Sequence, residues 1–175
     1  WNIGGNVTFQ DSKITKLTTV LDNTPGINTG GYEGATGNTI QNHQVGYAPS
    51  SFYVYEQAYG ADGKPLDGVY IDRDKNGTIN AQDKYRYHKP AADVFYGFNT
   101  SVTYKNWDMA MNWRGSWGNF NYNNVDSSKG SYQNILIRST DLSNGVQNIL
   151  ETGFTTQDTK RYESDYYIQD ASFVR

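Results

Sequence analysis

At 175 residues one domain is the default, and a composition only 36% hydrophobic but 15% aromatic, with 15 Tyr, points away from a compact helical domain and toward strands joined by polar loops. A net charge of −3 with 15 scattered basic residues gives nucleic-acid binding no support, and the absence of Cys excludes disulfides, thiol catalysis and cysteine-ligated metals. No apolar run approaches the roughly 20 residues a membrane helix needs, which leaves barrel strands open, because those are short and alternate.

Residues 1–10 alternate: Trp1, Ile3, Val7 and Phe9 on one parity, Asn2, Asn6, Thr8 and Gln10 on the other. Residues 11–50 are rich in Asn, Gly and Thr and read as a long irregular connection with a short strand near Leu17–Leu21. Ser51–Tyr59 reads as the next strand, aromatic on both faces; Tyr53, Tyr55 and Tyr59 suit an interfacial aromatic girdle better than a sugar-stacking platform. Gly60–Gly68 is a turn, Val69–Ile71 is a short extended piece leading into an acidic loop, and Pro90 is a break beyond that loop.

The clearest pattern runs from Tyr96 to Trp117. Tyr96, Phe98, Val102 and Tyr104 share a parity against Gly97, Asn99, Ser101 and Thr103. After Lys105-Asn106, a two-residue turn, Trp107, Met109, Met111, Trp113 and Trp117 alternate with Asp108, Ala110, Asn112, Arg114 and Ser116. Such a hairpin fits a sandwich with its apolar face inward, and equally a membrane barrel with lipid outside and an aqueous lumen inside. Gly118 to Tyr162 is a long polar segment, with a helix expected around Leu142–Thr152 capped by Asp141 or Ser143. Tyr166–Val174 reads as the next strand. A tight turn at one end and a long loop at the other match a barrel's short periplasmic turns and long extracellular loops. Counting strands backwards, however, puts residues 11–50 on the short-turn side, where they are far too long. The chain opens and closes on strand patterns and is expected to be an internal piece of a larger protein, whose missing ends would carry the secretion signal.

One motif carries chemistry. Asp72, Asp74 and Asn76 stand at positions 1, 3 and 5 of a calcium loop, with Gly77 at the sharp turn, the Thr78 carbonyl at 7, Asn80 at 9 and Asp83 at 12. Calcium takes several hard oxygens, and this spacing wraps them around one point. Asp rather than Glu at position 12 resembles dockerin-type loops, and there is no room for two flanking helices. The competing reading is a solvated loop whose Asx side chains cap their own backbone. A bound calcium here would be a loop staple and not a catalyst. No catalytic set emerges: His43 and His88 read as loop residues, Glu56 with Asp108 is one arbitrary pair among 18 acids, and Gly115-Ser116-Trp117-Gly118 lacks the context of a nucleophile elbow.

Taken in order, several blocks resemble the SusC/RagA family of TonB-dependent outer-membrane transporters. Gly46 to Tyr55 is similar to a Gly-x-Pro-x-x-Ser-Phe-x-x-Tyr block, with one residue inserted before Pro49. Asp72 to Asp83 is similar to an Asp-x-Asn-x-Asp-Gly-x-Ile-x-x-x-Asp block, with the types at Asp74 and Asn76 exchanged. Pro90, Tyr96-Gly97, Asn106-Trp107-Asp108 and Gly115 to Asn119 come next in the family's order, and Ser164 to Arg175 resembles the segment before the last barrel strands. Residues 11–43 and 119–163 carry no such likeness.

The resemblance implies an all-β fold: antiparallel strands of a transmembrane β-barrel of about 22 strands around a plug. Residues 1–175 would be part of that barrel domain, without the plug or the last strands. It implies a nutrient importer, not an enzyme, in the outer membrane of a Gram-negative bacterium. Its cargo would be oligosaccharide or peptide, its partners a SusD-like surface lipoprotein, the TonB complex and outer-membrane lipid. The alternative is a soluble all-β carbohydrate-binding module with a structural calcium. The two differ in where Trp107, Met109, Met111, Trp113 and Trp117 point: into a core, or out to lipid.

Overall fold

The computed structural model describes residues 1–18, 26–33, 37–135, 142–155 and 158–175. Its strands are β1 (Asn2–Phe9), β2 (Ile27–Gly31), β3 (Thr39–His43), β4 (Ser51–Val54), β5 (Gln57–Tyr59) and β6 (Pro65–Tyr70). They continue as β7 (Tyr85–Tyr87), β8 (Val94–Tyr104), β9 (Trp107–Trp117), β10 (Phe120–Tyr122), β11 (Ile168–Asp170) and β12 (Phe173–Val174). Three short helices, α1 (Asn124–Lys129), α2 (Asn148–Thr152) and α3 (Thr159–Tyr162), lie between β10 and β11.

Two regions result. The first is a wall, an antiparallel sheet in the order β1-β8-β9-β12. Its hairpin turns at Lys105-Asn106, where Lys105 takes φ +52°, the left-handed conformation that two-residue hairpin loops require of a central residue. Register fixes the faces. Phe98 opposes Trp113, Val102 opposes Met109, Tyr104 opposes Trp107 and Val7 opposes Tyr96, so the expected apolar set shares one side. Asn6, Asn99, Ser101, Asn112 and Arg114 share the other. No second sheet covers the apolar side among the described residues: Met111 is 39% and Trp113 51% exposed, where a soluble module would bury both. At 11 residues each, β8 and β9 span about 25 Å when tilted by about 45°, the height of a barrel's apolar band.

Thr100 interrupts that apolar side. Its hydroxyl donates to the Asn2 carbonyl at 3.1 Å and accepts from the Trp1 indole Nε1 at 2.8 Å. A lone hydroxyl on a face meant for hydrocarbon is thus fully partnered within the sheet.

The topology removes the strand-counting conflict. β1 bonds directly to β8, so residues 10–93 form one excursion between neighbouring wall strands. It leaves from the end opposite the tight turn. Residues 118–172, between β9 and β12, leave from that same end. β2 to β7 are therefore not wall strands.

The two excursions pack together as the second region. Its main sheet has the order β2-β3-β4-β7, with β5-β6 and β10-β11 as two-stranded ribbons. Ile40, Phe52, Val54 and Ile168 form the core, lined by Tyr32, Tyr85, Tyr87, Phe120 and Tyr122. Ile168 and Phe120 come from the second excursion, so neither builds this core alone.

Several expectations change here. Ser51–Tyr59 is broken into β4 and β5, and its tyrosines form no girdle. Tyr55 is buried, and Tyr53 faces the Arg86 guanidinium at 5.7 Å. A strand aromatic on both faces is here a strand buried on both faces. The helix expected over Leu142–Thr152 shrinks to α2, ended by Gly153 at φ +67°. Ile149 is buried, whereas Leu142 and Leu150 are exposed, so no continuous apolar stripe exists to extend it. Gln147, at the cap position, makes no side-chain cap bond, and the Ser143 N–H donates to the Ile135 carbonyl; Asp141 lies outside the described residues. Residues 11–18 carry no strand, and the rest of the Leu17–Leu21 expectation falls outside the described residues. Tyr166–Val174 divides into a 3-10 turn, β11 and β12, because Asp170 Oδ1 accepts the Ser172 N–H and bends the chain between the ribbon and the wall.

Candidate metal centre

The acidic loop hangs between β6 and β7. Its turn depends on Gly77 at φ +82° and Lys75 at φ +60°, which fold the chain back on itself. This brings the carboxylates of Asp72, Asp74 and Asp83 together, with one oxygen of each within 4.8 Å of the others. Asp83 is the anchor. It is fully buried, and its two oxygens accept the Arg73 N–H at 2.9 Å, the Asp74 N–H at 3.4 Å and the Asn80 N–H at 2.8 Å. The Asn80 N–H above all, with those of Asp74 and Arg73, holds its carboxyl below the usual carboxylate range. Asp72 Oδ2 accepts the Gly77 N–H at 2.7 Å, while its Oδ1 is buried with no hydrogen-bond partner.

The other expected ligands are engaged in the loop itself. Asn76 Oδ1 accepts the Thr78 N–H, and its amide donates to Asp74. The Thr78 carbonyl accepts from Asn80 Nδ2 at 3.1 Å, and Asn80 Oδ1 caps the 3-10 turn Ala81–Asp83 by accepting the Gln82 N–H. The geometry is that of a self-capping Asx loop around three converging carboxylates. An oxygen buried without a donor beside two more acids is the arrangement a hard cation relieves, so the residues fit calcium.

Around this loop lies a polar lattice with no periodic signature in the sequence. Lys84, next to Asp83, pairs with Glu163 at 2.6 Å, the two side chains being 13% and 7% exposed, and sits over the Tyr55 ring at 5.1 Å. Tyr55 bonds through its backbone to Glu163 and Asp165 and bridges Ser164. Asp165 accepts the Tyr85 hydroxyl at 2.6 Å and the Gln57 N–H at 3.0 Å; burial still pushes its carboxyl above the usual range. Arg73 pairs with Glu56 and lies 4.6 Å from the Tyr85 ring. The segment 163–165 thus clamps the first excursion from the second. Spacing could not reveal ties between residues about a hundred positions apart.

The other candidates stay apart. Glu56 is paired in the loop region while Asp108 stands on the wall. His43 closes β3, its Nδ1 accepting the Ser50 N–H, and His88 stacks flat on Phe120 at 3.6 Å.

No protein-family model matches the chain. The TonB-dependent receptor SusC of Bacteroides thetaiotaomicron is 38% identical over the whole of the chain. The chain belongs to the TonB-dependent receptors. A second receptor, P3 of Formosa agariphila, is 29% identical over 49% of the chain. The chain spans 17% of the length of the first relative and 10% of the second. In receptor terms the four-stranded sheet is barrel wall, and the two excursions are long loops from one rim.

Proposed function

We propose that this chain is a wall and loop segment of an outer-membrane nutrient importer that works with a SusD-like surface lipoprotein and draws energy through TonB. The carrying observation is the apolar, aromatic face left uncovered on a sheet of membrane-spanning length, in a chain akin to SusC along its whole extent. Its outer side meets lipid, and its tight turn lies on the periplasmic side. The cargo is an oligosaccharide or a peptide, because a wall of Asn, Ser and Thr exchanges hydrogen bonds with either. The test uses the full-length protein. It fractionates with outer-membrane barrels, co-purifies with a lipoprotein in detergent, and its gene supports growth on that cargo only in a strain with TonB. Recovery from the soluble fraction, or growth independent of TonB, overturns the reading.

Within that reading, the loop of residues 72–83 holds one calcium as a staple. Asp72, Asp74 and Asp83 supply the charge, and the side chain of Asn76, the Thr78 carbonyl and Asn80 complete the oxygen set once their internal bonds rearrange. The ion neutralises the three carboxylates and fixes the loop that leads into Lys84 and β7. Oxygens at about 2.3–2.6 Å from one density peak, in a map recorded in calcium, are the expected result. Water alone at that point, or binding that survives the joint change Asp72→Asn and Asp74→Asn, rejects it.

A further inference from the structure

The polar face of the wall holds two arginines side by side. Arg114 and Arg175 oppose each other directly: the Arg114 N–H donates to the Arg175 carbonyl at 2.7 Å, and the return bond is 2.8 Å. A residue pair that exchanges both backbone bonds places its side chains on the same face. Both arginines are exposed, and among the described residues neither has an ion-pair partner. On that face of the hairpin the acid is Asp108, six residues along β9 from Arg114, or about 20 Å. Like charges directly opposite each other on a sheet repel, and an anion held between them relieves that repulsion.

The surroundings define the anion's seat. One step toward the loop rim, Phe95 and Phe173 both oppose Ser116, so their rings flank the cationic pair on the same face. Arg175 lies 5.2 Å from the Phe173 ring. On the other side of Arg114 stands Gly97, over which the Asn6 carboxamide is laid: a Cβ at Gly97 would meet Asn6 Oδ1 at 2.6 Å. Asn6, Phe95, Gly97, Arg114 and Phe173 border a cavity of about 380 Å³. The Arg114 side chain, an amide and two aromatic rings line this cavity, and Arg175, opposite Arg114 in the ladder and against the Phe173 ring, stands beside it. A planar anion there can take paired N–H bonds from Arg114 and a further one from Arg175.

We infer that Arg114 and Arg175 together bind a carboxylate on the inner wall of the barrel, just below the rim from which the long loops emerge. The carboxylate comes either from an acidic side chain elsewhere in the full-length receptor or from an acidic solute in the lumen. The inference uses the wall alone and stands whether or not the protein proves to be an importer. Cryo-electron microscopy of the full-length receptor in detergent, with and without tetraglutamate, separates the sources. Carboxylate density that bridges both guanidiniums and continues into the receptor chain identifies an internal partner, and the double variant R114Q/R175Q then unfolds at lower temperature than N112Q. Density present only with tetraglutamate identifies a solute site, and calorimetric affinity then falls about tenfold or more in the double variant and is unchanged in N112Q. If both maps show the guanidiniums ending in water, with no carboxylate oxygen within about 4 Å, the inference is wrong. The maps of the unaltered protein decide this even if the variants fail to insert.

Discussion

The wall and the loop assembly are built on opposite principles. Each wall strand repeats one instruction, apolar then polar, and neither face is covered by the rest of the described chain. Its order comes from backbone ladders and cross-strand pairs, and its outer face is completed by solvent of the right kind, lipid. The loop assembly has short strands of three to six residues, buries Phe52, Val54 and Tyr167, and ties itself with ions and amides. Its order comes from contacts between two excursions that meet only after the wall has aligned them. A sheet that needs lipid and a lattice that needs its own charges should fail independently.

Breaking the clamp or the wall gives the largest expected effects. Glu163→Ala strips a largely shielded Lys84 of its partner and should cost about 3 kcal/mol. Hydrogen exchange on the full-length protein should quicken across β4, β7 and residues 163–168, and stay slow in β8 and β9; equal acceleration in the wall would mean the regions are one cooperative unit. The converse lesion is Met111→Arg, which should cost about 2–4 kcal/mol in lipid vesicles, against about 0.5 kcal/mol or less for Asn112→Arg on the inner face. Equal costs in urea unfolding would reverse the face assignment. Removing the proposed calcium is milder. At a free concentration ten times the Kd, its loss should cost about 1.4 kcal/mol. Chelation should loosen residues 72–83 alone, and the Asp72→Asn, Asp74→Asn protein should not respond. Smallest is Thr100→Val, which deprives the Trp1 indole of its acceptor and should cost about 0.5–1 kcal/mol. A double cycle with Trp1→Phe measures the coupling, and additive effects would remove that bond from the account.

The same contrast explains how much could be read from residues alone. The hairpin from Tyr96 to Trp117 comes directly from a period of two, since a single slip would turn every aromatic to the wrong side. The convergence of Asp72, Asp74 and Asp83 was legible because a sharp turn at Gly77 fixes it locally. Phe95 and Phe173, apolar residues on the polar face, break the alternation, and nothing in their sequence neighbourhood announces it. Lys84 with Glu163 and Tyr85 with Asp165 join segments about eighty residues apart, so neither partner carries a local mark. Tyr53, Tyr55 and Tyr59 misled because an interfacial girdle and a tyrosine-lined loop core draw on the same residue type. Only the pairing of β1 with β8 separates the two.

The inner wall between β1 and β8 has one more property. Gly4 faces Asn99 and Gly97 faces Asn6, and each carboxamide lies across the glycine opposite: an added Cβ at Gly4 would stand 2.5 Å from Asn99 Oδ1. The side chains fill each other's gaps and do not project, so this part of the bore is thinner than a sheet with a side chain at every inward position. Between Asn99 and Asn6 it offers amide donors and acceptors, and the Phe95 ring stands at the rim end. A valine at either glycine would drive its Cβ into the amide opposite and force that side chain out of its gap.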